Sequence, residues 1–196
     1  MYQESEVNMD KVINELTETI NSNDLILVAG RPLTGKATFS LKLASEMTKK
    51  NNKNVVYFSF EESPKTLYSR IKEKINNSSP NDNIYVINGI DMKSMIDIKK
   101  ILTEFKEVSK GIGAVIIDYL QLLQIRYNKQ KDNDVLEELK LIAVEFNVPV
   151  IVVYQLGLEF EKIKLTLEDL QNISIDVDIT DRVIFSYPDN SFHIGK

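Results

Sequence analysis

Gly30-Arg31-Pro32-Leu33-Thr34-Gly35-Lys36 has the spacing of a phosphate-binding loop: a glycine, four residues, then Gly-Lys. A loop of this kind, entered from a strand and leaving into a helix, aims backbone amides and the positive helix end at phosphate oxygens. Lys36 would reach the terminal phosphates of a nucleotide, and Gly35 would let the backbone approach them closely. The next position should carry a Ser or Thr hydroxyl that ligands Mg²⁺. Here it is Ala37, and Thr38 follows one residue late, about 100° further round the helix. The nucleotide-binding candidates are Gly30, Arg31, Pro32, Leu33, Thr34, Gly35, Lys36, Ala37 and Thr38.

Three further positions carry polar chemistry after apolar runs. Asp118 follows Ala114-Val115-Ile116-Ile117, the arrangement of a carboxylate aimed at a phosphate-bound metal; alone, it would read equally as a turn or capping residue. Glu61 follows Val55–Ser59 and is a candidate base for an attacking water. Its neighbour Glu62 is either a solvated twin or the base itself. Gln155 follows Val150–Tyr154, where an amide would sense the terminal phosphate or position water, or else sit at the core edge satisfied by backbone.

These residues need elements to hold them. Asp10–Ile20 places Val12, Ile13, Leu16 and Ile20 on one helical face. The spacing predicts further helices at Lys36–Lys50, after Ser63-Pro64 (a cap residue and a first-turn proline), at Ser94–Val108 and at Asn133–Phe146. Strands are expected at Leu25–Ala29, Val55–Ser59, Ile84–Ile87, Ala114–Ile117 and Val150–Tyr154, with Arg182–Tyr187 as the last; Asn76–Asn83 reads as a polar loop. Alternating strands and helices imply an α/β fold, a mostly parallel sheet with helices on both faces that binds ligands at the carboxyl ends of its strands. The chemistry-bearing residues fall at those ends. Residues 1–22 are expected as an N-terminal helical segment and 23–196 as the nucleotide-binding domain.

Composition narrows the function classes. The chain of 196 residues suits a single core, lacks Cys and so has no disulfide or thiolate site, and has no apolar run long enough for a bilayer. Met1–Glu6 is acidic and polar, unlike a secretory leader, so a cytoplasmic location fits. A net charge of −5 argues against a protein that grips nucleic acid unaided. Arginine, the residue of phosphate clamps, is confined to Arg31, Arg70, Arg126 and Arg182. His193 reads as structural or solvated, Tyr119 as packing more readily than base stacking, and Lys49, Lys50 and Lys53 as a helix-end run. Asp176, Asp178 and Asp181 read as a solvated loop face.

The ordered motifs resemble the motor domain of DnaB-like replicative DNA helicases. The resemblance rests on Asp24–Pro32 leading into Gly35-Lys36, on Phe58-Ser59-Phe60-Glu61, on Ile117-Asp118-Tyr119-Leu120-Gln121-Leu122, and on Asn147–Ile151 followed by Gln155-Leu156. It covers Asp24 to Tyr187, and the Asp-Tyr-Leu-Gln-Leu stretch is its most specific part. It implies a RecA-like fold, ATP hydrolysis at the subunit interfaces of a homo-oligomeric ring, and single-stranded DNA in the ring's centre. Carried over, Gly35 and Lys36 bind phosphates, Asp118 holds Mg²⁺ through water, Glu61 is the catalytic base, and Gln155 couples phosphate state to DNA loops.

The departures are as informative. Ala37 replaces the family's Thr, Gly157-Leu158 stands where Ser-Arg is usual, and the basic stretch after it is shortened to Glu159–Thr166. The family's Asp-Leu-Arg-Glu-Ser-Gly becomes Asp169-Leu170-Gln171-Asn172-Ile173-Ser174. The loop after Leu122 keeps Arg126, Lys129 and Lys131 as its basic residues; a basic finger beyond Lys196 and the family's amino-terminal domain are expected to be absent. The expected function is an ATP-binding, DnaB-like helicase domain in DNA replication with weakened hydrolysis. The alternative is a catalytically degenerate module that docks onto a helicase or another replication protein.

Overall fold

The computed structural model describes residues 7–74, 83–92, 94–108, 110–126, 131–158, 160 and 164–196. Its strands are β1 (Val7–Asn8), β2 (Leu25–Gly30), β3 (Asn54–Ser59), β4 (Ile84–Asn88), β5 (Ile112–Asp118), β6 (Val150–Gln155), β7 (Arg182–Ser186) and β8 (Ser191–Ile194). They form one sheet in the order β1-β8-β7-β2-β6-β5-β3-β4. The run from β7 to β4 is parallel, and β8 and β1 add antiparallel at one edge.

The helices are α1 (Met9–Thr19), α2 (Lys36–Asn51), α3 (Pro64–Lys74), α4 (Met95–Val108), α5 (Leu120–Arg126), α6 (Asp132–Phe146) and α7 (Leu167–Asn172). They divide between the two faces because the side chains of a strand alternate. On β2, Leu25, Leu27 and Ala29 enter a core with Ile98 and Leu102 of α4, Leu120 of α5, Leu139 of α6 and Leu170 of α7. Ile26 and Val28 enter the opposite core with Val12 and Leu16 of α1, Phe39 and Leu43 of α2, and Leu67 of α3. Strands buried on both faces read as continuous apolar runs, which is why their sequence signal was length and β-branching rather than alternation. The architecture is therefore the expected parallel sheet between helical layers. Among the described residues no helix is long and apolar enough to cross a membrane.

Local chemistry fixes the helix starts. The Asn8 side chain accepts from the Asp10 amide to open α1, and Ser63 Oγ accepts from Thr66 N at the start of α3, as its sequence position suggested. Thr166 and Asp169 form a reciprocal capping box on α7.

Several expectations change. Arg182–Tyr187 is not the last strand: β7 ends at Ser186, and β8 returns antiparallel after a turn in which Asn190 N donates to Tyr187 O. Ser-Phe-His-Ile is too short to signal a strand alone, yet Phe192 is fully buried and stacks on Phe39 at 4.7 Å. Asp181 is not merely solvated. Its Oδ2 accepts from Leu25 N at 2.7 Å and from Lys140 Nζ at 2.6 Å, tying β2 to α6. His193 lies against Phe185 with centroids 6.5 Å apart, in keeping with a structural role. The polar loop expected at Asn76–Asn83 lies, Asn83 apart, outside the described residues, as do Lys129 and much of Glu159–Thr166.

Candidate functional site

Strand register brings the chosen residues together. Gly30 at the end of β2 pairs with Gln155 on one side and Ser186 on the other, and Ser59 at the end of β3 pairs with Asp118. The carboxyl ends therefore form a row, and a cleft of about 450 Å³ opens over it. Lys36, Glu61, Asp118 and Gln155 all line it, with Pro32, Leu33, Thr34, Gly35, Ala37 and Thr38. Gly30 and Arg31 do not line the cleft. Their carbonyls lie beneath it and accept from Lys36 Nζ at 2.8 and 2.5 Å.

The loop is shaped for a ligand that approaches backbone. Gly30 has no room for a Cβ, which would overlap Ser186 Oγ and fall 2.7 Å from Ser186 O. Gly35 adopts φ +83, which favours glycine, and a Cβ there would meet Asn190 Oδ1 at 2.9 Å. Gly35 is also the N-cap of α2 and supplies no side-chain cap. The N-cap thus brings no side chain to the first turn of α2, an arrangement in which a helix start can take an anion. Thr34 Oγ1 and Ser186 Oγ are 2.6 Å apart, bracing the loop against β7.

The charges are buried and opposed. Burial lowers the Lys36 ammonium to about 8, while the charges of Asp118 and Glu61 pull it back up. Burial raises Asp118 to about 6; the Tyr57 hydrogen bond lowers it, Glu61 and Glu62 raise it, and Lys36 lowers it. Tyr57 Oη donates to Asp118 Oδ2 at 2.5 Å, and burial, with Asp118 beside it, pushes the phenol well above its ordinary value. The Asp118-Tyr119 peptide is cis, and Phe60 N donates to Asp118 O at 2.8 Å. Tyr119 borders the cleft.

The two glutamates separate. Glu62 is half-buried: its Oε1 pairs with Arg70 Nη1 at 2.6 Å, and its backbone is bonded both ways to Ser59 Oγ. Glu61 is exposed at the cleft. At the other end, Gln121 of α5 clamps the Gln155 backbone, its Nε2 donating to Gln155 O at 2.6 Å and its Oε1 accepting from Gln155 N at 3.2 Å.

Sequence reasoning missed Tyr57, Arg70, Ser186 and Asn190 as parts of this site. Tyr57 sits inside an apolar strand run, and only strand register places it beside Asp118. Asn190 carried a turn signal, Pro188-Asp189-Asn190, with nothing to say that the turn faces Gly35.

The donor set fits a phosphate-bearing ligand: an uncapped helix start, a buried ammonium and two glycines with no space for side chains. It fits a cation less fully. Among the described residues no group of three or more His, Cys, Asp or Glu forms a metal cage, so a cation at Asp118 would need phosphate oxygens and water to complete its sphere.

Known proteins resemble this chain in sequence and in fold. The family model described as DnaB-like helicase C terminal domain matches residues 8–82 and 74–194. The chain is 30% identical over 216 aligned positions to the replicative DNA helicase DnaB of Geobacillus stearothermophilus, covering 92% of this chain and 46% of that protein. It is 31% identical to the replicative DNA helicase DnaC of Bacillus subtilis, with the same coverage. The chain thus spans about half the length of the curated relatives it matches. One solved ATPase domain superposes with a TM-score of 0.70 at 23% identity, covering 96% of this chain and 78% of that one. A DnaB-like replicative helicase, solved in a study of its interactions with primase, gives 0.69 at 24%, covering 87% and 48%. Both share the RecA-like fold seen here. Since the family model runs through nearly all of the described sheet, this chain belongs to the DnaB-like helicase C-terminal domain family.

Proposed function

We propose that the cleft binds ATP as the nucleotide site of a DnaB-like helicase domain acting in DNA replication, and that it hydrolyses ATP weakly. The observation that carries this reading is convergence: Lys36, Glu61, Asp118 and Gln155, drawn from four separate strand ends, line one cleft over an uncapped helix start. In this reading Lys36 leaves the Gly30 and Arg31 carbonyls for the terminal phosphates. Asp118 holds Mg²⁺ through water, Glu61 activates the attacking water, and Gln155 reports the phosphate state along β6. The exposure of Glu61 supports its role over that of Glu62, which Arg70 already holds. Ala37 at the cleft supports slow turnover, because no hydroxyl follows the lysine to complete the metal sphere. As a motor the domain would act in the cytoplasm with further copies of itself and single-stranded DNA.

Calorimetric titration of ATP with and without Mg²⁺ tests the reading. The wild-type chain is expected to bind, and Lys36→Ala to lose about 10–100-fold in affinity, the scale of a charge-assisted hydrogen bond. No heat of binding in Mg²⁺ would end it.

Ala37 also favours a second reading, a non-catalytic module that docks to a helicase or another replication protein. ATP turnover that is stimulated by single-stranded DNA and abolished by Glu61→Gln would eliminate that reading.

A further inference from the structure

Asp118 is buried, and one of its oxygens already has a partner from an unexpected direction. Strand β3 runs beside β5 in the register Tyr57↔Ile116 and Ser59↔Asp118. Tyr57 faces the α2 side of the sheet with Val55, is fully buried, and delivers its hydroxyl to Asp118 Oδ2. A buried tyrosine hydroxyl needs an acceptor, and a buried carboxylate needs donors, so each satisfies the other. Carboxylates that hold cations are oriented by such outer partners, and losing one typically costs about 10–100-fold in metal affinity. The position that ordinarily brings a hydroxyl to this corner, immediately after the loop lysine, is Ala37.

We propose that Tyr57 is the positioning residue of the cation site: its hydroxyl, delivered from β3, orients the Asp118 carboxylate and stands in for part of what the missing hydroxyl at Ala37 would have done. Tyr57 does not itself touch the cation; it fixes Oδ2 of Asp118 and leaves Oδ1 unclaimed by the phenol. The two devices reach the same carboxylate corner from different elements, Tyr57 from β3 and residue 37 from α2. Restoring one therefore matters more when the other is gone. This inference rests on the reading of the cleft as a nucleotide–Mg²⁺ site.

The test is calorimetric ATP affinity, in Mg²⁺ and in EDTA, for the wild-type chain, Tyr57→Phe, Ala37→Thr and the double variant. Tyr57→Phe is expected to lower affinity about 10–100-fold in Mg²⁺ and less than about threefold in EDTA. Ala37→Thr is expected to raise Mg²⁺-dependent affinity by about tenfold more on the Tyr57→Phe background than alone, a non-additivity that a purely structural tyrosine would not give. Equal losses in Mg²⁺ and EDTA, or equal gains from Ala37→Thr on both backgrounds, overturn the proposal. Should Tyr57→Phe not fold, Ala37→Thr alone decides. A gain below about tenfold is expected, and one of about 100-fold or more means that Asp118 was not already oriented and overturns it. Wild-type protein with no Mg²⁺-dependent binding overturns the nucleotide–Mg²⁺ reading and this inference together. Mg²⁺-dependent binding that Tyr57→Phe leaves intact overturns this inference alone.

Discussion

The cleft has two unlike walls. On the inner wall, Lys36 and Asp118 are buried over Gly30 and Tyr57, and each polar side chain there has a partner within the sheet or the loop. On the outer wall, Glu61 is exposed and Leu33 at the loop tip is 98% exposed with φ +64. The inner wall is built by strand register, which burial on both faces specifies strongly. The outer wall hangs on segments that leave the strand ends, where few apolar contacts fix geometry. If the cleft takes a nucleotide as proposed, holding its phosphates would be a property of the fold itself, whereas turnover would depend on ordering side chains that the sheet does not hold.

The strongest way to break that contrast is to crowd the inner wall. Gly30→Ala drives a methyl into Ser186, whose backbone oxygen cannot move aside as a side chain can. A loss of about 3 kcal/mol in stability is expected, at the upper end for overpacking, together with loss of nucleotide binding. Thermal melting and ATP titration read both, and an unchanged melting temperature would show the loop to be softer than described.

A smaller effect follows from the charge held there. The folded-state pKa of Asp118, about 6, lies above the ordinary value of 3.8. Its contribution is fully present below about pH 4. Between that point and about pH 6 the unfolded chain releases the proton while the folded chain keeps it, so stability falls as pH rises through this window. The loss is on the order of 3 kcal/mol by about pH 7. Asp118→Asn should flatten this part of the stability curve, measured by denaturant unfolding from about pH 4 to 7; parallel curves for the two proteins would refute it.

The smallest effect sharpens the comparison from outside the cleft. Ser174, just past α7, has φ +67 and stands where the family pattern carries glycine. Ser174→Gly should stabilise by about 0.5–1 kcal/mol, since a left-handed backbone strains a residue with a Cβ. It should leave ATP affinity unchanged, which melting and titration together would check.

How far the sequence carried depended on what kind of signal each residue needed. The strands leading to Gly30, Ser59, Asp118 and Gln155 were legible because a row of buried apolar residues admits few other readings in an α/β pattern. The loop was legible because its glycines answer to local backbone demands, φ +83 at Gly35 and the close approach of Ser186 at Gly30. The residues alone left Glu61 and Glu62 open and only the resemblance named Glu61; the ion pair that sets Glu62 apart comes from Arg70, further along the chain within α3. Gln121 stood inside the most specific motif without showing its contact, a two-way clamp on the Gln155 backbone 34 residues later. Strand β8 and helices α5 and α7 were too short to declare themselves by periodicity, and α5 was recognised only as a motif.

Lys36 gives the last consequence. Its ammonium is already held by the carbonyls of Gly30 and Arg31, and the residue is buried. Under the proposed function, arrival of a phosphate at the loop would be a substitution rather than an addition: two internal acceptors would be released as an external one is gained. The net attraction is smaller than a count of final contacts implies, and the freed carbonyls become part of the bound state's chemistry. Because Leu156 N also donates to Gly30 O, at 3.0 Å, releasing the lysine leaves that carbonyl to the end of β6, so the departure of one side chain is felt directly beside Gln155.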